Sequence, residues 1–146
     1  MELIQQLLDA KICGLDTPIF IYLFEGHKKY FSLAKQVFNL LELGKIKAIT
    51  SVITPIEVLS APALEEHKET RQLYMEFFKT LENLQILNID MNIADEAARL
   101  RRIYHLRTPD AIQAATAIIS GTKIFVTNDA GMKKIKEIKV ITLDDN

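Results

Sequence analysis

Short runs of β-branched and other apolar residues alternate along the chain with longer segments whose apolar positions recur at helical spacing. The short runs predict five strands, and the longer segments predict helices between them. The predicted strands are Lys11–Asp16, Lys47–Ser51, Gln85–Ile89, Lys123–Thr127 and Lys139–Leu143. The predicted helices are residues 18–26, 31–44, 55–84, 93–105 and 109–121, after a short N-terminal helical extension over residues 1–10. Strands separated by helices indicate an α/β fold whose mostly parallel sheet is covered on both faces.

The segment from Thr108 to Gly121 predicts the most deeply buried helix. Thr108 suits the N-cap, Pro109 suits the first helical position, and Gly121 is a typical helix end. Most residues between them are apolar, yet an acid, Asp110, lies in the first turn. A helix this apolar belongs in the interior, so we expect its first turn to open into a cleft.

Asp110 is one of four acids at predicted helix starts, three of which come shortly after a strand. The other three are Asp16, Glu57 and Asp129. Because the carboxyl ends of parallel strands meet at one edge of a sheet, we expect these carboxylates to converge. Converging carboxylates repel one another unless a cation neutralises them. Oxygen ligands without a cysteine or histidine cluster favour Mg²⁺ or Mn²⁺, ions that activate water for phosphodiester hydrolysis.

Each acid also has a purely structural explanation. An acid in a first helical turn complements the helix macrodipole, which would account for Asp16 and Asp110. Glu57 has capping-box spacing from Thr54, and Asp129 follows an asparagine in a plausible turn. The metal hypothesis therefore depends on the four acids lying together.

Composition restricts the class of protein. A chain of 146 residues fits a single domain, and its net charge of −1 provides no global attraction for nucleic acid or for membranes. The single cysteine, Cys13, excludes an intrachain disulfide and agrees with a cytoplasmic location. No apolar run is long enough to span a membrane, and no glycine-rich nucleotide-binding motif is present, so we expect neither a membrane partner nor an organic cofactor.

Four blocks of the sequence, in order, resemble the signature blocks of PIN-domain ribonucleases, in particular the toxin subunits of VapBC toxin–antitoxin pairs. The blocks are LDTPIFIYLFEG, TSVITPIEVLS, LRTPDAIQAATAI and FVTNDAGMKKI. This resemblance implies a three-layer α/β/α sandwich and a metal-dependent endoribonuclease that hydrolyses RNA. It also implies Mg²⁺ or Mn²⁺ as the cofactor, a cognate antitoxin as a partner, and a homodimer.

The resemblance assigns roles to individual residues. The family's metal-binding and catalytic acids match Asp16, Glu57, Asp110 and Asp129. We expect four further residues to contact the substrate: Thr17, Thr127, Asn128 and Arg107. Pro18 departs from the family, which commonly has asparagine there. This departure, with the lack of a strong basic face, leaves open an alternative: a PIN-like domain with little or no activity that binds RNA or a protein partner.

Overall fold

The five predicted strands form one sheet in the computed structural model, which describes residues 2–145. In chain order they are β1 (Ile12–Leu15), β2 (Lys47–Ser51), β3 (Leu84–Leu87), β4 (Ile124–Thr127) and β5 (Lys139–Thr142). The spatial order is β3-β2-β1-β4-β5, and every neighbouring pair is parallel. The predicted α/β fold is confirmed, and the sheet is parallel throughout.

Within residues 2–145, seven α-helices connect and cover the strands. They are α1 (Leu3–Ala10), α2 (Thr17–Glu25), α3 (Phe31–Glu42), α4 (Ile53–Leu59), α5 (Lys68–Thr80), α6 (Met91–Tyr104) and α7 (Thr108–Ile119). Short 3₁₀ segments occupy Pro62–Glu66, Ala130–Lys134 and Leu143–Asp145. Successive residues of β4 point into two different cores: Ile124 and Val126 pack with α1, α2 and α3, whereas Phe125 packs with α6 and α7. Helices therefore cover both faces, which confirms the three-layer sandwich.

Helix α7 is packed directly against the centre of the sheet. Ala111, Ala114 and Ala115 are fully buried, as the apolar pattern predicts. A Cβ atom at Gly14 in β1 would lie only 2.6 Å from the Cβ of Ala117. The missing side chain of Gly14 is therefore what allows α7 to approach β1 so closely, and it fixes the position of the helix start above the sheet edge.

The predicted helix over residues 55–84 is wrong in its extent. Helix α4 ends at Leu59, a 3₁₀ segment follows, and α5 begins only at Lys68. Pro62 explains the break: the residue before it, Ala61, is extended with ψ near 122°, because the proline ring disfavours the helical conformation there. Two helix starts also differ from prediction: α2 begins at Thr17, one residue before the predicted start, and Arg107 rather than Thr108 is the N-cap of α7.

The N-terminal helix belongs to the core of the fold. Leu3 and Leu7 of α1 are each only 1% exposed and lie in the same cluster as strands β1 and β4. Met1 and Asn146, the two ends of the predicted domain, lie outside the described residues. Between those ends, no helix has both the length and the apolar character needed to cross a membrane.

Candidate active site

The four predicted acids are carried by elements that meet at the carboxyl edge of the sheet. Asp16 follows β1 directly, Asp129 follows β4 by one residue, and Glu57 lies in α4, which begins just after β2. Asp110 follows no strand, but it lies in the first turn of α7, which packs over β1 and β2. The prediction that all four acids begin helices is wrong for Glu57, which sits in the second turn of α4.

Asp16 is the buried acid of this edge. Its side chain is held at the start of α2, where Oδ1 accepts a hydrogen bond from the backbone N–H of Thr17 at 2.9 Å. Oδ2 accepts a hydrogen bond from the hydroxyl of Thr127 at 2.7 Å. Burial nevertheless raises the pKa of Asp16 from 3.8 to about 6, and the charges of Asp110 and Glu57 add to the rise. Asp16 forms no ion pair with a basic side chain within residues 2–145.

The hydroxyl of Thr17 connects the starts of two helices. Its Oγ1 donates to Oε1 of Glu57 at 2.6 Å and accepts from Nε2 of Gln113 at 3.0 Å. The same Gln113 amide donates to Thr54 at 2.8 Å, and the Ser51 hydroxyl donates to Oε1 of Gln113 at 2.6 Å. Gln113 in α7 thus joins α2, α4 and the end of β2, and this buried network sets the orientation of Glu57.

The proposed capping box between Thr54 and Glu57 does not form. Thr54 lies inside α4, whose N-cap is Val52, and it is completely buried. Its hydroxyl is hydrogen-bonded to that of Thr50 at 2.6 Å rather than to a helix-terminal N–H. Glu57 is bound by Thr17 of another helix, so its position serves the site instead of the end of its own helix.

Sequence reasoning missed Gln113, Ser51 and Thr54. The sequence did contain an indication, because each of these residues is polar and lies within or beside a segment that is otherwise apolar. Gln113 is only 3% exposed in a helix rich in alanine and isoleucine, and a buried amide requires hydrogen-bond partners. That requirement alone would have indicated a polar cluster at this end of α7, although not its members.

We expect Gln113→Leu to lower the free energy of unfolding by about 2–3 kcal/mol, because the buried Ser51 hydroxyl loses the oxygen to which it donates, and the hydroxyls of Thr17 and Thr54 lose the amide N–H groups that they accept. Thr116→Val is the matched control on the same helix, since its hydroxyl contacts only the backbone carbonyl of Ile112. Urea denaturation of both variants measures the difference. Equal losses in the two would show that the network adds nothing beyond ordinary packing.

Thr127 links Asp129 to Asp16. Besides donating to Asp16, its Oγ1 accepts the backbone N–H of Asp129 at 3.2 Å. Oδ1 of Asp129 accepts from the N–H of Gly131 at 2.9 Å and so begins the 3₁₀ segment, the turn that its sequence context suggested. Between them, Asn128 donates through Nδ2 to the Tyr22 hydroxyl at 2.9 Å, while its buried Oδ1 has no hydrogen-bond partner among the described residues.

Arg107 provides positive charge at this edge. Its Nε lies 3.2 Å from Oδ2 of Asp110, and the side chain is 79% exposed. The hydrogen bond to Asp110 raises the pKa of Arg107, and the charges of Glu57 and Asp129 contribute to the same rise. Arg107 is therefore within electrostatic reach of three of the four acids. Arg99, by contrast, is held by Glu96 and Glu137.

The donor chemistry of this edge fits a hard divalent cation. The charges of Asp110 and Glu57 both act on Asp16, where they add to the rise of its pKa, so these three carboxylates lie in one electrostatic environment. They supply only oxygen atoms, which suit Mg²⁺ or Mn²⁺. Within residues 2–145, however, no group of three or more His, Cys, Asp or Glu side chains is arranged to hold a metal ion. Binding therefore requires side-chain adjustment, for which exposed Glu57 and Asp129 have room.

Comparisons with known proteins identify the family and the fold. The family model of the PIN domain matches residues 14–138. Among solved structures, the chain is similar to VapBC2 from Rickettsia felis bound to a promoter DNA fragment, with 21% identity, a TM-score of 0.69, and coverage of 90% of this chain and 98% of that one. A toxin–antitoxin complex from Klebsiella pneumoniae is 27% identical, with a TM-score of 0.66 and coverage of 89% and 96%.

VapBC-1 from nontypeable Haemophilus influenzae is also similar, at 20% identity and a TM-score of 0.67, with coverage of 90% of this chain and 97% of that one. No curated protein matches the chain. The family match contains Asp16, Glu57, Asp110 and Asp129, the acids that the fold carries to one edge of the sheet. The predicted resemblance is thus confirmed, and the chain belongs to the PIN-domain family.

Proposed function

We propose that this protein is a metal-dependent endoribonuclease of the cytoplasm and the toxin of a toxin–antitoxin pair. PIN domains are typically nucleases and generally use divalent metal ions. The observation that carries the proposal is the buried Asp16, whose pKa is raised to about 6 by burial and, to a smaller extent, by repulsion from Asp110 and Glu57. A fold that maintains such mutual repulsion gains from binding a cation there.

The four acids have different environments, and we assign them different roles. Asp16 and Asp110 would hold Mg²⁺ or Mn²⁺, because Asp16 is buried and the charge of Asp110 acts on it directly. When bound, such an ion supplies charge neutralisation and activation of water. Glu57 is exposed and anchored through one oxygen by Thr17, which leaves its second oxygen to accept a proton from water. Asp129 is also exposed, and we place it at the same site, where it follows the end of β4.

The predicted substrate contacts divide into two groups. Thr17 and Thr127 are buried, and their hydroxyls already bind Glu57 and Asp16, so we assign them to positioning these acids. Arg107 is exposed beside Asp110 and is the residue we assign to an RNA phosphate. We assign Asn128 to the same surface, where its amide is oriented by the Tyr22 hydroxyl.

The direct test is cleavage of a structured RNA by the purified protein with Mg²⁺, with Mn²⁺ and with a chelator. We expect cleavage with either ion and none in the chelator. Cleavage that persists in the chelator would contradict the mechanism. RNA binding without cleavage under all conditions would instead support the alternative of an inactive PIN-like domain, which is favoured by Pro18 in the first turn of α2.

The toxin role requires an antitoxin, and the similar structures from Rickettsia felis, Klebsiella pneumoniae and Haemophilus influenzae are toxin–antitoxin complexes by their descriptions. We propose that a small protein encoded beside this chain binds it and inhibits cleavage. Co-expression should yield a complex in which RNA cleavage is suppressed. We also propose a homodimer, which light scattering of the purified chain would detect as a doubled mass.

Arg107→Ala should have opposite effects on the two ligands of the site. RNA binding should weaken about fivefold and lose part of its salt dependence, because one phosphate contact is removed. Mn²⁺ should bind more tightly, because Asp110 no longer has a competing guanidinium at 3.2 Å. Calorimetric titration with Mn²⁺ and RNA anisotropy in chelator measure these effects separately. The control is Arg102→Ala, which replaces an exposed arginine of α6. If both variants bind RNA and Mn²⁺ equally, Arg107 is not part of the site.

A further inference from the structure

The edge of the sheet opposite the acids carries a row of lysines. Four neighbouring strands begin at a lysine or directly after one, and we call these residues the lysine row: Lys11, Lys47, Lys123 and Lys139. All four are exposed. Because the strands are parallel, their amino ends lie together at this edge, a full strand length away from Asp16 and Asp129.

The strand register makes the row continuous. The backbone N–H of Lys47 donates to the carbonyl of Lys11 at 2.9 Å, and that of Lys139 donates to the carbonyl of Lys123 at 3.0 Å. The middle strands β1 and β4, preceded by Lys11 and Lys123, are themselves paired. With about 4.8 Å between adjacent strands, the four positions extend over roughly 14 Å. Lys47 pairs with Ile12 and Lys139 with Ile124, and because Gly14 pairs with Phe125, these two lysines point to opposite faces of the sheet. The row is therefore a set of positive charges spread along this edge and over both of its sides.

The lysines of the row are not ion-paired within residues 2–145, although acids lie near them. By contrast, Lys29 and Lys133 are paired with acids. Among the acids near this edge, Asp9 accepts a hydrogen bond from Gln5 and lines the same depression as Lys123 and Lys139. Glu137 is bound by Arg99 and Tyr104, and Glu42 and Glu82 line a separate depression beside β3.

Helix dipoles account for only half of the row. Lys11 and Lys123 follow the ends of α1 and α7, where a cation complements the partial negative charge of the helix terminus. Lys47 and Lys139 are strand residues, and the helix-end argument does not apply to them. A depression of about 410 Å³ lies between α1 and the last two strands, lined by Gln6, Asp9, Ala10, Lys123, Ile124 and Lys139.

We propose that the lysine row binds the phosphate backbone of RNA at a second surface, remote from the cleavage site. Several separate ammonium groups along one edge can contact several phosphates of one RNA strand, and lysine acts as a point charge without reading bases. With a net charge of −1, the chain can attract a polyanion only through such a local surface. The proposal rests on the proposed function in taking RNA as the substrate, and it implies that long RNAs are held at both edges of the sheet.

The test uses the full chain in chelator, so that binding is measured without cleavage. The variant Lys123→Gln/Lys139→Gln is compared with Lys28→Gln/Lys68→Gln, which removes two exposed lysines elsewhere and gives the same net charge. Anisotropy of a labelled RNA hairpin is recorded between 50 and 200 mM salt, on the order of the range over which such binding changes strongly. We expect about tenfold weaker binding by the row variant and a salt slope lower by about 1–2, with little change in the control.

Cleavage separates this proposal from the proposed function. The row variant should cleave a short oligonucleotide at the wild-type rate with Mn²⁺ but require more of the long RNA for half-maximal rate. Equal binding by the row variant and the control would overturn the proposal even if the wild type cleaves RNA. The proposal would likewise be overturned if the row variant bound polyglutamate more weakly than the wild type but bound RNA equally well. If the wild type binds RNA through the row but never cleaves it, only the proposed nuclease activity would be overturned.

Discussion

Asp16→Asn and Asp110→Asn should each reduce Mg²⁺-dependent RNA cleavage by about 10³-fold or more. The substitution preserves the shape of the side chain but removes the charge that holds the cation, and metal ions contribute several kcal/mol to such reactions. For Asp16, the asparagine oxygen can still accept the N–H of Thr17, so the start of α2 should persist. Rates are measured on one RNA at fixed Mg²⁺, with the fold of each variant verified by circular dichroism.

Asp95→Asn is the matched control for this prediction. Asp95 is an exposed acid of α6, outside the acids of the carboxyl edge, and its replacement changes net charge equally. It should cleave RNA at close to the wild-type rate. If both Asp16→Asn and Asp110→Asn retain that rate, the edge that carries them is not the active site. Partial recovery of either variant at high Mn²⁺ would agree with weakened ion binding.

Asp16 should also make the metal-free protein less stable at neutral pH. Its pKa is raised by burial from 3.8 to about 6, so the folded state favours the protonated acid. Between these two values the native state binds a proton that the unfolded state has lost, so stability falls as pH rises through this interval. Above about pH 6 the ionised carboxylate costs up to about 3 kcal/mol of unfolding free energy, from the size of the shift.

Asp16→Asn should therefore stabilise the metal-free chain by about 1–3 kcal/mol at pH 7.5 and give no such gain near pH 4. Urea denaturation in chelator at the two pH values measures the difference from wild type. Mn²⁺ should then raise the melting temperature of the wild type but not of the variant, because only the wild type binds the ion. A variant that is less stable at both pH values would mean that Asp16 serves mainly as the N-cap of α2.

The strands were predictable because their signal is local. Buried parallel strands are short β-branched runs, and all five predicted runs overlap a strand; that of β2 has the same limits as the prediction. The N-terminal part of the site follows from the same reasoning, since Asp16 comes directly after such a run. The long predicted helix failed at Pro62 because two short helices and one long helix share the same apolar periodicity. Only the backbone restriction around the proline separates them.

The sequence by itself determined the alternation of strands and helices, the four acids, and their placement near the ends of elements, because each depends on residues close in the chain. Only the tertiary structure decided which polar groups hold those acids. Gln113 reaches Thr17 across 96 residues, and Thr127 reaches Asp16 across 111. Such bonds depend on which helix packs over which strand, and the closeness of α7 to Gly14 sets that arrangement. Packing of distant segments, which no local pattern specifies, therefore decides which groups hold each of the four acids.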